Sequence, residues 1–378
     1  MTAVTWEVQT ESGFSLTTYL LSMNITQGRE QYIDTYSGGS AVLTFKNDNP
    51  YVTYYLTYGK YISISSTPTG FSQVFYVQNV EYNDYPGNTG LSTVTYTCVD
   101  GLTLSGRVYA DSYVLVQNDT VSQAKNFGQL GGGPLPVNGP FIFGALGYNG
   151  SSIASATTYS GTVLNYFNFL SVTERGYIVC RNVGIYFVPR SAISSYAPIA
   201  TTFGRTTSAT QIAYQQLQRV AANTQMNNVA TISPNGLASV TATNTSSQTA
   251  YGSAFYTSAT VDYDITQATG NANWIVNNFS DPTTERYKIS FSDVAQNSTA
   301  LTSWFSQCWG TINRTNTFYF QKPGGSLTSV STVVEGFEIN ATPEQTIFTL
   351  NLSPLQYYQF FTLDSSTLGI LDTSRLGW

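Results

Sequence analysis

The chain has 378 residues, 42% of them hydrophobic, which is more than one ordinary core holds, so two or more packed units are expected. Charged residues make up only 10%, against a usual share of about 25%, and the formal net charge is −6. This excludes high-charge disorder and a basic face for sequence-specific nucleic-acid binding, and the absence of histidine removes the commonest general base, the commonest metal ligand and every Ser-His or Cys-His nucleophile.

The first sixteen residues lack a basic segment followed by an apolar core, so no signal peptide is expected. No run approaches about 18 apolar residues, so no membrane-spanning helix is expected either. Residues 1 to about 100 read as successive strands, since Thr, Tyr, Phe and Val suit a pleated, half-buried surface. Ala41–Asn47 is an apolar-rich run preceded by Ser37-Gly-Gly-Ser40, which reads as a turn. Tyr61–Ser65 alternates with a period of two, and Val74–Tyr82 follows. Pro86–Gly90 marks a turn before Ser92–Val99. Strands at this spacing predict an antiparallel barrel.

Asp100-Gly101-Leu102 caps or leads into a helical stretch. Gly131–Pro140 is the clearest loop signal and a candidate domain boundary, and its glycines lack the Gly-Lys-Ser/Thr of a phosphate cradle. Thr162–Arg175 predicts an amphipathic helix, with Val163, Phe167 and Leu170 on one face and Gly176 as the C-cap glycine. Tyr177–Cys180 and Ile185–Val188 read as a hairpin. Short strands are expected over 205–260 and a second helix over Asp264–Asn278, with Pro282 beyond its end. Strands follow at Tyr287–Phe291, Thr317–Phe320, Val330–Ile339 and Thr346–Leu352. No repeat with a period of 20 to 50 residues is present, which argues against a solenoid or propeller. Cys98, Cys180 and Cys308 are far apart and odd in number. Cys98 and Cys180, in strand-like runs, read as small apolar core residues rather than a disulfide set, and reduced cytoplasmic folding is expected.

Several of these pieces, in order, resemble the minor tail proteins of bacteriophages. Met23–Glu30 followed by Asp34–Asn47 is similar to the family's opening, in which a Gly-Arg pair (here Gly28-Arg29) precedes a glycine turn, a strand and an Asn. Phe75–Val80 and Thr95–Leu102, which ends in Asp-Gly-Leu, resemble its next strands. Leu164–Arg190 resembles its helix, Glu-Arg-Gly turn and hairpin, Ser246–Gly252 its Tyr-Gly pair, and Phe361–Trp378 its ending. The resemblance implies a mainly β fold with minor α (α+β): tail-tube-like antiparallel β-barrel domains plus a small inserted helix–hairpin domain.

On that reading, residues 1–104 form the first barrel domain and 105–200 a linker and small α+β insertion. Residues 201–378 form a second β-rich domain, with a helix near 264–279, that pairs with the first. The implied role is a tail-tip or baseplate hub within the virion. It would assemble with itself as a trimer, contact tail tube and distal tail proteins, and hold fibre or spike proteins.

No catalytic, cofactor-binding or metal-binding residue is assigned and no cofactor is expected. Glu174-Arg175-Gly176 reads either as an acid beside a base or, more simply, as a helix terminus whose charges face solvent or pair. Asp364, Asp372 and Arg375 form either a charged patch able to bind Ca²⁺ or local caps and an inter-subunit salt bridge. Tyr51, Tyr54, Tyr55, Tyr58 and Tyr61 serve either as a sugar-stacking surface or as barrel wall and interface. The leading function is therefore structural assembly, and the alternative is a receptor-binding tail protein that reads host glycans. The scarcity of charge and the 28 Tyr and 21 Phe suit a surface that other subunits cover.

Overall fold

The computed structural model describes residues 4–48, 52, 56–67, 69–85, 87, 89–114, 143–145, 158–181, 184–189, 198–221, 226–282, 285–308, 315–322 and 324–358. The Gly131–Pro140 loop, the Phe361–Trp378 ending, Arg190, and Tyr51, Tyr54, Tyr55, Asp364, Asp372 and Arg375 lie outside them. Before the middle of the chain the strands are β1 (Thr5–Thr10), β2 (Leu20–Gly28), β3 (Ser37–Lys46), β4 (Tyr61–Thr67), β5 (Ser72–Asn83), β6 (Thr93–Val99), β7 (Tyr109–Val114), β8 (Phe143–Ala145) and β9 (Thr158–Thr162). Next come β10 (Tyr177–Arg181), β11 (Gly184–Val188), β12 (Thr202–Gly204), β13 (Gln211–Ala213), β14 (Gln216–Ala221), β15 (Val229–Pro234), β16 (Val240–Thr243) and β17 (Phe255–Thr260). The last four are β18 (Glu285–Ser292), β19 (Thr315–Gln321), β20 (Leu327–Ala341) and β21 (Thr346–Pro354). The helices are α1 (Gly101–Ser105), α2 (Val163–Glu174), α3 (Thr245–Tyr251), α4 (Ile265–Phe279) and α5 (Ser298–Cys308).

The fold is mainly β, as expected. Alternation sets the first barrel: Ala41, Leu43 and Phe45 of β3, Ile62 and Ile64 of β4, and Val94, Tyr96 and Cys98 of β6 are all fully buried. The six strands lie in the order β1-β4-β5-β6-β3-β2, every pair antiparallel. The free side of β1 is covered by chain leading into β2, where Leu16 N–H donates to Val8 O at 2.7 Å and Val8 N–H donates to Thr17 Oγ1 at 3.0 Å.

Ser37-Gly-Gly-Ser40 is not a turn. It is the start of β3, and neither glycine has positive φ. The glycines are there because α1 crosses above them: a Cβ on Gly39 would lie 2.7 Å from Asp100 Oδ2, and one on Gly38 would meet the Thr103 backbone.

The second barrel closes through one continuous segment. Residues 211–221 run beside β12 as β13 and then beside β18 as β14. At the bend, Tyr214 N–H donates to Gly204 O at 3.1 Å and Gln215 N–H to Ser290 O at 2.8 Å. The order around this barrel is β12-β19-β20-β21-β18-β14. Its core is aromatic: the Trp304 ring of α5 lies 5.5 Å from Phe203, 5.8 Å from Phe291 and 4.8 Å from Phe305. Its indole N–H donates to Asn316 Oδ1 at 2.7 Å.

Five strands of one barrel repeat in the other. β2-β3-β6-β5-β4 in the first has the same pairing and chain order as β14-β18-β21-β20-β19 in the second; β12 takes the place of β1 at the end of the row but runs parallel to β19, whereas β1 runs antiparallel to β4. Both carry a bulge at the same place, between Val77 and Asn79 of β5 and between Val334 and Gly336 of β20. Aligning the bulges sets Val77, Glu81 and Asn83 on Val334, Glu338 and Asn340. The barrels join edge to edge where β2 pairs with β20, from Met23 opposite Ala341 to Gly28 opposite Gly336, which makes one 13-stranded sheet.

A middle body lies outside that sheet. α4 starts where expected, with the Asp264 side chain accepting from Gln267 N–H at 2.8 Å, and it packs on the sheet β16-β15-β17. The predicted hairpin is β10-β11, extended by β8. α2 also forms as expected, but its cap differs. Arg175, not Gly176, takes the left-handed conformation, with φ 53°, and Gly176 N–H closes on Ser171 O at 3.0 Å. Val188 O would stand 2.7 Å from a Cβ on Gly176, so close approach is what that glycine supplies. α1, which Asp100 caps, lasts only five residues, and α3 and α5 fall where no helix was predicted. Among the described residues no helix is long and apolar enough to cross a membrane.

Candidate functional site: the seam and the free strand edges

The seam between the barrels is locked at its bulge. β2 ends at Gly28, with φ 91°, where a Cβ would meet the Glu335 carbonyl and Gly336. The chain then turns so that Arg29 N–H donates to Glu335 O at 3.0 Å. The bulge directs the Glu335 side chain inward, where it is fully buried and pairs with Arg29 Nε at 2.8 Å. Tyr358 donates to the other carboxylate oxygen at 2.5 Å and accepts from Arg29 Nη2 at 3.3 Å. The guanidinium lies 4.4 Å from the ring centre of Tyr36, 4.9 Å from Tyr32 and 5.5 Å from Tyr177. Burial opposes its charge, but Glu335 and the surrounding tyrosines outweigh that and hold its pKa well above the ordinary value. This site joins four parts of the chain: the end of β2 with the connection to β3, the β20 bulge, the start of β10 at Tyr177, and the turn after β21. Tyr32 extends it to the middle body, 4.9 Å from Trp274 and 4.6 Å from Tyr358.

The Glu174-Arg175 pair is buried rather than solvent-facing. Arg175 lies 5.0 Å from the Trp274 ring centre, its carbonyl accepts from Tyr32 O–H at 3.0 Å, and burial lowers its pKa. Holding a non-glycine residue left-handed costs about 1–2 kcal/mol, and these contacts offset it. The cleft between Arg29, Arg175 and Trp274 encloses about 30 Å³, enough for one or two waters. Tyr58 is 70% exposed, whereas Tyr61 is half-buried and edge-on to Tyr76 at 6.2 Å. Among the described residues no group of three His, Cys, Asp or Glu is placed to hold a metal ion. Cys98 and Cys180 are free and buried, as the sequence suggested.

Two buried carboxylates have raised pKa values. Burial pushes Asp100 up to about 6, against the opposing hydrogen bonds of Thr103, Gly39 and Gln27. Burial likewise pushes Asp262 up to about 6, against those of Thr260 and Asn271 and the nearby Arg175 charge. The folded state therefore binds these protons more tightly than the unfolded chain does. Their stabilising contribution is complete below pH about 4 and is lost as pH rises through about 6. Raising each carboxyl from its ordinary value to about 6 corresponds to roughly 3 kcal/mol per group. Melting temperature is expected to fall between pH 4 and 7, and Asp100→Asn should flatten that slope; an unchanged slope would contradict this assignment.

Among the strand edges that have no neighbouring strand in the described residues, two occupy equivalent places to the strands of the seam. Asn79–Asn83 of β5 has β6 on one side only, and β14 has β18 on one side only. Aromatic and apolar side chains gather near the first: Tyr82 is 51% exposed, and Tyr85 and Leu91 are also exposed. Such edges are templates for pairing with another chain.

The same arrangement occurs in solved structures. A tail protein from Neisseria meningitidis aligns over 93% of this chain and 97% of its own, with a TM-score of 0.64 and 10% identity. The fold is that of phage tail proteins. The 43 kDa tail protein of prophage MuSo2 from Shewanella oneidensis shares this tail-protein fold over 94% of this chain and 99% of its own, with a TM-score of 0.58 and 11% identity. An E. coli component of the type VI secretion system, described as similar to the T4 tail proteins gp27 and gp5, aligns over 92% of this chain and 76% of its own, with a TM-score of 0.51 and 8% identity. No family model and no curated protein matches by sequence.

The site residues of this tail-protein fold were only partly visible in the sequence. Gly28-Arg29 stood out by resemblance, but its partner Glu335 did not. The available signal was a lone acid followed by glycine inside the apolar run Val333-Val334-Glu335-Gly336-Phe337, a pattern that marks a bulge.

Proposed function

We propose that this chain is a structural subunit of a phage tail tip, a hub or minor tail protein that closes as a ring of three copies. It caps the tail tube and connects it to fibre or spike proteins during DNA delivery, after assembly in the host cytoplasm. One observation carries the reading: a single chain with the tail-protein fold contains the same barrel twice, joined edge to edge. Three such chains present six barrels, so a ring of three offers a sixfold face to the tube and a threefold face to the tip. In this reading residues 1–104 and the strands of 201–378 outside Val229–Phe279 are the tube-like units. The described residues of 105–200, with residues 229–279, form a body standing off the ring. The role is mechanical and requires no catalysis.

Light scattering on the purified protein tests this. The expected mass is three times the 41.2 kDa of the chain and holds on dilution to the micromolar range. A stable monomer at those concentrations would overturn the reading.

A further inference from the structure

The repeat assigns a partner to each of the two edges named above, Asn79–Asn83 of β5 and β14. β14 holds the place in the second barrel that β2 holds in the first, and β2 is the strand that crosses to the next barrel. Asn79–Asn83 of β5 holds the place of Gly336–Asn340 of β20, the stretch that receives β2. We propose that β14 of one copy adds to the distal half of β5 in the next copy, antiparallel, in the register that β2 takes on β20. This rests on the ring-forming reading above and names its interface.

The bulges and the barrel pairings fix the register. Met23 and Leu217 occupy equivalent places, because each lies opposite the equivalent residue of the next strand, Leu43 and Ile289. With Tyr82 on Ile339, the pairing of Ile25 with Ile339 becomes Arg219 opposite Tyr82. Gln218 then faces Asn83, and Val220 faces Glu81.

The side chains suit that register. Within the chain, Asn24 Nδ2 donates to Asn340 Oδ1 at 2.6 Å and to Glu338 Oε1 at 3.0 Å. Across copies the same three places carry Gln218, Asn83 and Glu81, so an amide again faces an amide and a carboxylate. Tyr82 is 51% exposed where Ile339 is fully buried, the difference expected of a position whose cover is another copy. Arg219 stands where the first barrel has Ile25 and lies 4.7 Å from the Phe320 ring centre. A cation at this point on an edge discourages indiscriminate strand pairing, and opposite Tyr82 it gains an aromatic face. Because the two edges differ, the contact is head to tail, and it closes when the rotation per copy completes a circle.

Paired cysteines read the register directly. Asn83→Cys and Gln218→Cys together, in the full chain under mild oxidation, are expected to give covalent dimers and trimers. Directly opposed residues in an antiparallel pair sit about 4.5–5.5 Å apart at Cα, within disulfide reach. The pair Asn83→Cys with Arg219→Cys places the thiols on opposite faces and should give at least tenfold less product. Both target side chains are exposed, so melting temperature serves as the folding control. A trimer by light scattering that fails to cross-link at 83 and 218 would overturn this interface and leave the ring-forming reading standing. A protein that stays monomeric and uncross-linked would overturn both.

Discussion

Replacing Glu335 with alanine is expected to destabilise the protein by about 3–5 kcal/mol, a large share of the roughly 5–15 kcal/mol that holds a typical domain. The reason is what remains behind. Arg29 keeps its charge in a site closed by Tyr32, Tyr36, Tyr177 and Tyr358, and Glu335 is its ion-pair partner there. The Tyr358 hydroxyl also loses the acceptor 2.5 Å away. Joint replacement, Arg29→Met with Glu335→Leu, removes both charges and should recover most of the loss, because a buried ion pair is costly mainly when it is broken. Urea midpoints on the three proteins measure this. A loss under 1 kcal/mol for Glu335→Ala would mean that the seam is held by its strand ladder alone.

The second large effect lies at Gly38 and Gly39. Valine at both should cost more than about 4 kcal/mol, the range reached when backbone cannot move out of the way. A Cβ on Gly38 would stand 2.5 Å from Thr103 Cα, and one on Gly39 would stand 3.1 Å from Thr26 O as well as against Asp100. Asp100 N–H donates to Gly39 O at 3.0 Å, so β3 and α1 would separate at the bond that fixes them. Gly59→Val is the comparison: its left-handed φ of 82° is strained by a side chain, but no atom lies within 4 Å of the added carbon. Soluble yield and melting temperature separate the two, and an unperturbed Gly38/Gly39 double variant would refute the packing described here.

Local signals were legible where the period was clean. The alternation at Tyr61–Ser65 and the strand run Ser92–Val99 gave β4 and β6, and the apolar positions of Asp264–Asn278 gave α4. α5 was legible in principle, since Ala300, Leu301, Trp304 and Phe305 recur at helical spacing and are all buried, yet the Ser and Thr between them weaken the pattern. The Ser37–Ser40 turn failed because glycine serves close approach as well as tight turns. Only the packing of α1 on β3 tells the two apart.

The larger features needed the third dimension. Arg29 and Glu335 are 306 residues apart, and nothing local to either announces the pair. The duplication is far longer than the repeat periods that sequence scanning finds, and along β5 and β20 little more than Val77, Glu81 and Asn83 coincide with their counterparts. Shared strand order and a shared bulge carry it instead. Unpaired edges are likewise a property of the sheet, because a strand's sequence does not say how many neighbours it has.

Electron microscopy of the assembled oligomer tests the central claim most directly: that one barrel, used twice per chain, builds a closed ring by repeating one seam. The predicted image is a ring of six barrel-sized densities with three standing bodies, in which the contact within a chain and the contact between chains look alike. Isolated two-barrel particles, or chains meeting through the middle bodies, would contradict it.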